Sequence, residues 1–548
     1  QVYRHRSALA PASLSVSCLG ELTRYVGSSL GLRGWTRRKM KMLTTTTTTM
    51  KVRVALLLLA LLAVPACFAD VGEGEALEKA LAHAAGLKAE YVDELIDFVK
   101  IPSISTLPEH EKDMRDAAAW VAARCEAAGL ENVATMETGA QPVVYCDHMH
   151  APGQPTILIY AHYDVQPADP FELWDHEPFE ARSEGGRILG RGASDDKSGL
   201  LLSIQAVEAV LKTASGALPI NVKFLFDGQE EIGSPQLESF LDKHGEKFAA
   251  DLCFSADGGQ ISEDKPRVIT SLRGLAAVEV KVKTANADLH SGTFGGAAPN
   301  ALHLLTDLVA SLHNPDGSVN IPGFYDDVQL MSEEERSQTE LPDALFEQQM
   351  RNEGITGTVG EKGFGSFERT VTRPTLEVIG MWGGFQGEGV KTIVPKEASV
   401  KVACRLVANQ DALTIQKLVR KHFESICPDY AEMTFTGGSF DVAQPYAVGF
   451  DAPSSQIAKS VLEKTFKAEV LFTKMGGTIP GMNLFREKLN AESALLGFSE
   501  PDNQLHAPNE FMRESIYHKG RDVYIRLFYE VAKYYADNAA ADAGKSEL

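Results

Sequence analysis

Cysteine is scarce in the body of this chain. Of seven cysteines in 548 residues, five lie beyond residue 69: Cys125, Cys146, Cys253, Cys404 and Cys427. Their number is odd and no CxxC spacing occurs, so neither a disulfide framework nor a cysteine zinc site is supported, which leaves room for one bridge. No Asn-x-Ser/Thr sequon follows Asp70, so glycosylation does not report on the compartment. Internal repeats are not apparent. Positive charge is also short: beyond residue 69 there are 43 basic against 73 acidic side chains, a net of -30. A body this acidic repels nucleic acid and anionic membranes. What is present is ordinary globular material, 44% hydrophobic and 23% charged, enough for two or more domains with real cores.

The amino-terminal segment has the opposite character, with ten Lys/Arg and one acid in residues 1 to 69. Met50-Lys51-Val52-Arg53 makes a basic start, Val54 to Val64 an apolar run of eleven, and Pro65-Ala66-Cys67-Phe68-Ala69 a small-residue end suited to cleavage before Asp70. The run is short for a bilayer span. This is the pattern of a signal peptide, which places the mature chain in a secreted or endomembrane compartment with no stable membrane insertion once the leader is removed. Residues 1–49 lack an initial methionine and include Thr44 to Thr49. They read as upstream sequence or as part of a bipartite targeting leader, so organelle targeting stays open.

From Asp70 the order of elements is α/β. Helical spacing covers Ala76 to Val99 and Asp113 to Ala128, followed by strand-like Val143-Val144-Tyr145 and Thr156 to Tyr160. The apolar run Thr156 to Tyr160 suits a buried parallel strand, and at its end come His162 and Asp164 in Tyr160-Ala-His-Tyr-Asp-Val-Gln-Pro167. Ligands in open α/β sheets bind beyond strand carboxyl ends. A second stretch, Gly190 to Gly199, carries Asp195-Asp196-Lys197 into the helix Leu200 to Leu211, where the acids could equally be helix caps. A third strand, Asn221 to Phe226, ends in Glu230-Glu231, and adjacent acids there repel unless a cation or proton separates them. Asp257 follows the strand-like Leu252 to Ser255, and His506 lies in Asp502 to Glu510.

Two histidines and several carboxylates without cysteine suit two divalent ions, zinc or manganese, about 3.5–4 Å apart. Asp164 is placed to fix the imidazole of His162. One of Glu230 and Glu231 can ligate while the other takes a proton from water.

The set His162-x-Asp164, Asp195-Asp196-Lys197, Glu230-Glu231, Asp257 and His506 resembles the dinuclear metallopeptidase family of carnosinases, aminoacylases and glutamate carboxypeptidases, the M20 family. The phrases HYDVQP, GRGASDDKSG and DLHSGTFGG resemble most its carnosinase and non-specific dipeptidase branch. The resemblance covers nearly everything from Ala76 onward. It implies that Asp195 bridges both ions, that His162 and Asp257 complete one site and Glu231 and His506 the other, that Glu230 is the general base, and that Asp164 orients His162. It also implies a cis Asp195-Asp196 peptide.

Between Arg273 and Gly438 the order is βαββαβ, the ferredoxin-like arrangement. The expected architecture is thus a mixed-sheet α/β zinc-peptidase catalytic domain, residues 70–270 and 441–548, interrupted by a lid at 271–440. Within it, His313 to Arg369 reads as an irregular, solvated insertion. By resemblance the lid makes a homodimer, and His290 in Asp288-Leu-His-Ser-Gly292 reaches a neighbouring subunit to stabilise an oxyanion. Arg405 resembles the family's carboxylate-binding arginine, and Gly476-Gly477-Thr478 its substrate-carboxylate loop. One departure stands out. The branch often has Glu before that Gly-Gly pair to receive a free amine, where this chain has apolar Met475, which favours a blocked or acylated amine.

These features lead to the expectation of a dipeptidase acting on small peptides through water activated by two metal ions, zinc before manganese. The alternative is an N-acyl amino acid deacylase or glutamate-type carboxypeptidase; a catalytically dead binding protein is the remote one.

Overall fold

The larger sheet is built around parallel strands buried on both faces. Thr156–His162 lies between Asn221–Asp227 and Leu252–Ser255, and Glu492–Leu495 continues the parallel set beyond the latter. Val143–His148 and then Glu131–Met136 extend one side in antiparallel fashion. Arg267–Leu272, Leu471–Met475 and Tyr446–Ala447 extend the other, completing a mixed sheet of nine strands. Every residue of Thr156–His162 after the first is buried, which explains its unbroken apolar run in place of alternation.

The computed structural model describes residues 74–213, 216–339, 342–436 and 442–546. Ala76–Leu548 forms one compact unit; the preceding unit, to Glu75, holds the leader predicted over residues 1–69, which lies outside the described residues. No described helix is long and apolar enough to cross a membrane.

Helices cover both faces of the large sheet. On one face lie Lys88–Val99, Glu111–Ala128, Lys197–Thr213, Pro453–Phe466 and Glu514–Ser546, whose Leu95, Val121, Leu201, Val461 and Phe528 share a core with Ile157, Ile159 and Phe224. On the other, Leu237–Phe248 and Pro480–Leu489 pack Phe240 and Phe485 against Leu158, Tyr160 and Leu225. Alternate residues of one strand thus feed opposite cores.

A second, antiparallel sheet is inserted. Its order is Thr375–Gly383, Glu397–Leu406, Gly274–Lys283 and Glu432–Thr436, with Val442–Ala443 also on Gly274–Lys283. Helices Ala301–Ala310 and Ala412–Ile426 cover one face and share a separate core. Chain order and spatial order together are ferredoxin-like.

Two expectations change. The helix read over Ala76 to Val99 is broken by a turn at Leu87, after Gly86, where a residue without a side chain weakens the helix by about 1 kcal/mol. The insertion His313 to Arg369 is not merely a solvated surface. It contains the helices Glu333–Gln338 and Asp343–Asn352, the helix Ser366–Thr372 begins within it, and it buries Val319, Ile321, Phe324 and Glu368. Ion pairs hold it: Arg336 with Glu368, and Arg373 with both oxygens of Glu361 at 2.9 and 2.8 Å. Such pairing leaves no hydrophobic periodicity to read.

Candidate active site

Parallel pairing sets the site. Register places His162 opposite Asp227, so the segments following Thr156–His162 and Asn221–Asp227 leave the same end of the sheet, as does the one following Leu252–Ser255. They deliver His162 and Asp164, Glu230 and Glu231, and Asp257 to one place. Asp195 arrives just before the helix Lys197–Thr213, and His506 from the loop after Glu492–Leu495.

Asp195 joins the two histidines. Its Oδ1 lies 3.1 Å from His162 Nε2 and its Oδ2 3.1 Å from His506 Nε2. His506 Nε2 is also 3.2 Å from Glu231 Oε2. His162 and Asp164 are fully buried, and the ring's Nδ1 faces the Asp164 carbonyl at 3.1 Å and its carboxylate at 3.4 Å. That carboxylate does more than orient the ring. It accepts the N–H groups of Glu230 and Glu231, each at 3.1 Å, and the Ser105 hydroxyl at 2.6 Å. One side chain thereby fixes a histidine and both glutamates. The Asp195-Asp196 peptide is cis.

The electrostatics are those of acids forced together. Burial raises Glu230 well above its ordinary value, with Asp257, Glu231 and Asp195 adding to the rise against His162. Burial and then Asp195 push Asp257 up to about 7 and also raise Glu231. Hydrogen bonds that His506 donates to the carboxylates of Asp195 and Glu231 hold it up to about 10. Burial opposes the ionised Asp195, yet the hydrogen bonds of His162 and His506 keep it below the usual carboxylate range. Burial and crowded negative charge raise the acids, and pairing with the histidines lowers Asp195 and raises His506.

The second sheet contributes a basic corner. Arg405, half-buried on Glu397–Leu406, donates to Thr478 Oγ1 at 2.9 Å, and that hydroxyl donates to the Arg273 carbonyl at 2.6 Å. Arg273 donates from Nε to the Gly476 carbonyl at 3.1 Å and from its main-chain N to that of Gly477 at 3.0 Å. Burial lowers both guanidinium pKa values, and at Arg273 the charge of Arg405 adds to it, bringing Arg273 to about 10. Both arginines line a cavity of about 750 Å³ whose other wall includes Phe346, Met350 and Arg369 from the insertion. His290 is elsewhere. It is exposed, its ring accepts the Gly292 N–H at 3.1 Å, and no hydrogen bond or ion pair among the described residues links it to the acidic cluster.

A model of peptidase family M20/M25/M40 matches residues 158–530, most of the chain. The chain belongs to that family. The Beta-Ala-His dipeptidase of Homo sapiens is 28% identical to this M20 peptidase over 473 residues, 83% of this chain and 93% of its own length. The Cys-Gly metallodipeptidase dug1 of Schizosaccharomyces pombe is 29% identical over 463 residues, 81% of this chain and 96% of its own. Among solved structures, the M20 family metallo-carboxypeptidase Sso-CP2 from Sulfolobus solfataricus shares the fold with a TM-score of 0.71 at 30% identity, over 81% of this chain and 99% of its own.

The donor set fits what an M20 metallopeptidase needs, two divalent ions. Ligand atoms of His162, Asp195 and Glu231 lie within 4.8 Å of one another, as do those of His162, Glu230 and Asp257. Imidazole and carboxylate donors suit zinc or manganese, and cations would relieve the repulsion that raises these acids.

Several positioning groups of this M20 site carry no signal in residue spacing. Glu510, fully buried, pairs with Arg191 at 2.6 Å and accepts the N–H groups of Gly192, Ser194 and Asp195 at 2.9, 2.9 and 3.0 Å. Gln166 donates to Glu231 Oε2 at 2.8 Å. Both stand inside stretches that the motifs single out, but their roles depend on a fold that brings residue 510 to residue 195. Arg273 adjoins a strand end and resembles any surface arginine in sequence. The loop bearing His506 holds Gln504, His506 and Asn509 at φ of 58°, 58° and 67°, left-handed backbone that non-glycine residues adopt at a cost.

Proposed function

We propose that this chain is a dinuclear metal-dependent dipeptidase that hydrolyses the peptide bond of dipeptides and short peptides bearing a free carboxylate. The observation that carries the reading is Asp195, with one histidine nitrogen at 3.1 Å from each of its two oxygens. A carboxylate so divided is placed to bridge two cations. In this assignment His162 and Asp257 complete one site, Glu231 and His506 the other, with zinc the resident ion and manganese acceptable to the same donors. When bound, the ions supply Lewis acidity and lower the pKa of water.

Arg405 and Thr478 receive the substrate carboxylate, with Arg273 holding the Gly476-Gly477-Thr478 turn in place. Glu230 takes a proton from the attacking water and gives it to the amine as the C–N bond breaks. Cations held beside it would offset the charges of Asp257, Glu231 and Asp195, which add to burial in raising its pKa. His290 stabilises the oxyanion in the active site of a second copy, which requires a homodimer formed through the inserted domain. Its exposure supports that role, as does the edge strand Thr375–Gly383, which leaves Val378, Ile379, Met381 and Trp382 in solvent. The basic apolar leader supports a secreted or lumenal location.

Met475 favours a second reading, a deacylase of N-acyl amino acids. It packs its side chain against the core beside Ile269 and Leu272 and offers no charge to an ammonium group. A panel of Xaa-Gly dipeptides and their N-acetyl forms, run on metal-reconstituted protein, tests the assignment. Turnover of the free dipeptides is expected, whereas turnover confined to acetylated substrates would replace it with the second reading.

A further inference from the structure

Two of the five described cysteines meet. Cys125, near the end of the helix Glu111–Ala128, and Cys146, on the strand Val143–His148, are both fully buried, and their sulfurs lie 2.9 Å apart. That is closer than sulfur atoms rest in ordinary non-bonded contact, and under 1 Å longer than a disulfide bond of about 2.05 Å. The other three are placed apart: Cys253 and Cys404 are buried in different cores, and Cys427 is partly exposed at the end of the helix Ala412–Ile426. We propose that Cys125 and Cys146 are joined by a disulfide in the mature protein, one that ties off the segment bracing the active site.

The segment between them is where that bond would act. Within it the Pro142 carbonyl accepts the Tyr163 hydroxyl at 2.6 Å, and Thr138 Oγ1 and the Gln141 carbonyl accept the Gln229 side-chain amide at 3.1 and 3.0 Å. Tyr163 follows His162 and Gln229 precedes Glu230, so one covalent loop closes around the supports of a proposed ligand and of the proposed base. Helix and strand already pack together, and the bond asks only that the sulfurs approach.

The chemistry is thiol–disulfide exchange with an oxidised thiol such as glutathione disulfide. One cysteine thiolate attacks that disulfide and releases one thiol. The second cysteine thiolate displaces the other, so two protein thiols are oxidised as one disulfide is reduced. Because both sulfurs are buried, the exchange takes place during folding, before the core closes.

The test is disulfide mapping of the full chain made in a host with an oxidising cytoplasm. The protein is denatured in excess alkylating agent without reductant, digested and analysed by mass spectrometry. The proposal expects the peptides carrying Cys125 and Cys146 to be recovered as one linked species that separates on reduction. In Cys125→Ala, Cys146 is expected alkylated, a readout that holds whether or not the variant folds. Recovery of Cys125 and Cys146 both alkylated from the unreduced wild type would overturn the proposal, and so would a bond from Cys146 to any other cysteine.

Discussion

Glu510 touches neither histidine, yet it holds the loop that presents Asp195. Its two oxygens, fully buried, receive three main-chain N–H groups and the buried Arg191 guanidinium. A glutamine keeps the shape but turns one acceptor into a donor facing donors, and it leaves the Arg191 charge buried without its partner, a change of about 3–5 kcal/mol in other buried pairs. Glu510→Gln is therefore expected to weaken zinc retention by about 10–100-fold in competition with a chelator, as loss of a ligand's support commonly does. Restoration of activity by excess zinc would distinguish this from loss of the proposed base. Glu230→Gln should behave the opposite way. Metal content measured by mass spectrometry stays at the wild-type level while kcat falls about 10²–10⁴-fold, the usual contribution of a general base. A variant with full activity would remove Glu230 from that role.

The strand ends explain why so much of the centre was legible at the level of elements. Thr156–His162 and Asn221–Asp227 announce themselves by apolar runs, and parallel register fixes in space the loop that leaves each of them. His162, Asp164, Glu230, Glu231 and Asp257 could therefore be named from the chain alone, and the structure brings them together with Asp195 and His506. Hydrogen bonding across hundreds of residues was not legible, because Glu510 and Arg273 have no periodicity to betray them. Nor was the packing of the insertion, whose ion pairs look in sequence like solvated charge. The basic corner likewise joins two elements: Arg405 belongs to the inserted sheet, whereas Thr478 stands in the turn between Leu471–Met475 and the helix Pro480–Leu489. Arg405→Met is expected to raise KM for dipeptides, lowering kcat/KM about 10–100-fold, in line with the roughly 1.5–3 kcal/mol of a hydrogen bond to a charged group. Substrates amidated at the carboxyl terminus should show a much smaller loss; an equal loss would argue that the arginine serves only the fold.

For the molecule as a whole, the acidic centre makes cation binding an exchange for protons. In the metal-free protein Asp257 titrates at about 7 and His506 at about 10. At pH 6 both carry a proton that a cation must displace, whereas at pH 8 Asp257 has already lost its own. Zinc binding followed by calorimetry in buffers of different ionisation enthalpy should release more protons at pH 6 than at pH 8, with affinity falling as the solution is acidified. The sign for stability comes from the same group. A carboxyl raised in the folded state binds its proton when the unfolded chain has let go, so metal-free stability declines as pH climbs from the ordinary carboxylate range to about 7 and is level in this respect above it. Thermal midpoints of chelated protein across that interval check the slope.

The inserted sheet lies in sequence between the acids of the first half and His506, and this has a consequence for how the enzyme is born. A ribosome has released His162, Asp195, Glu230, Glu231 and Asp257 long before it makes His506, and the whole antiparallel sheet must be threaded out in between. Until then the nascent polypeptide carries His162, Asp195 and Asp257, the proposed holders of one ion, but lacks His506 for the other. On the proposed assignment, completing the second site is a finishing step of biosynthesis, and a chain cut within the inserted sheet would leave a fragment with Glu231 and no His506 to pair with it.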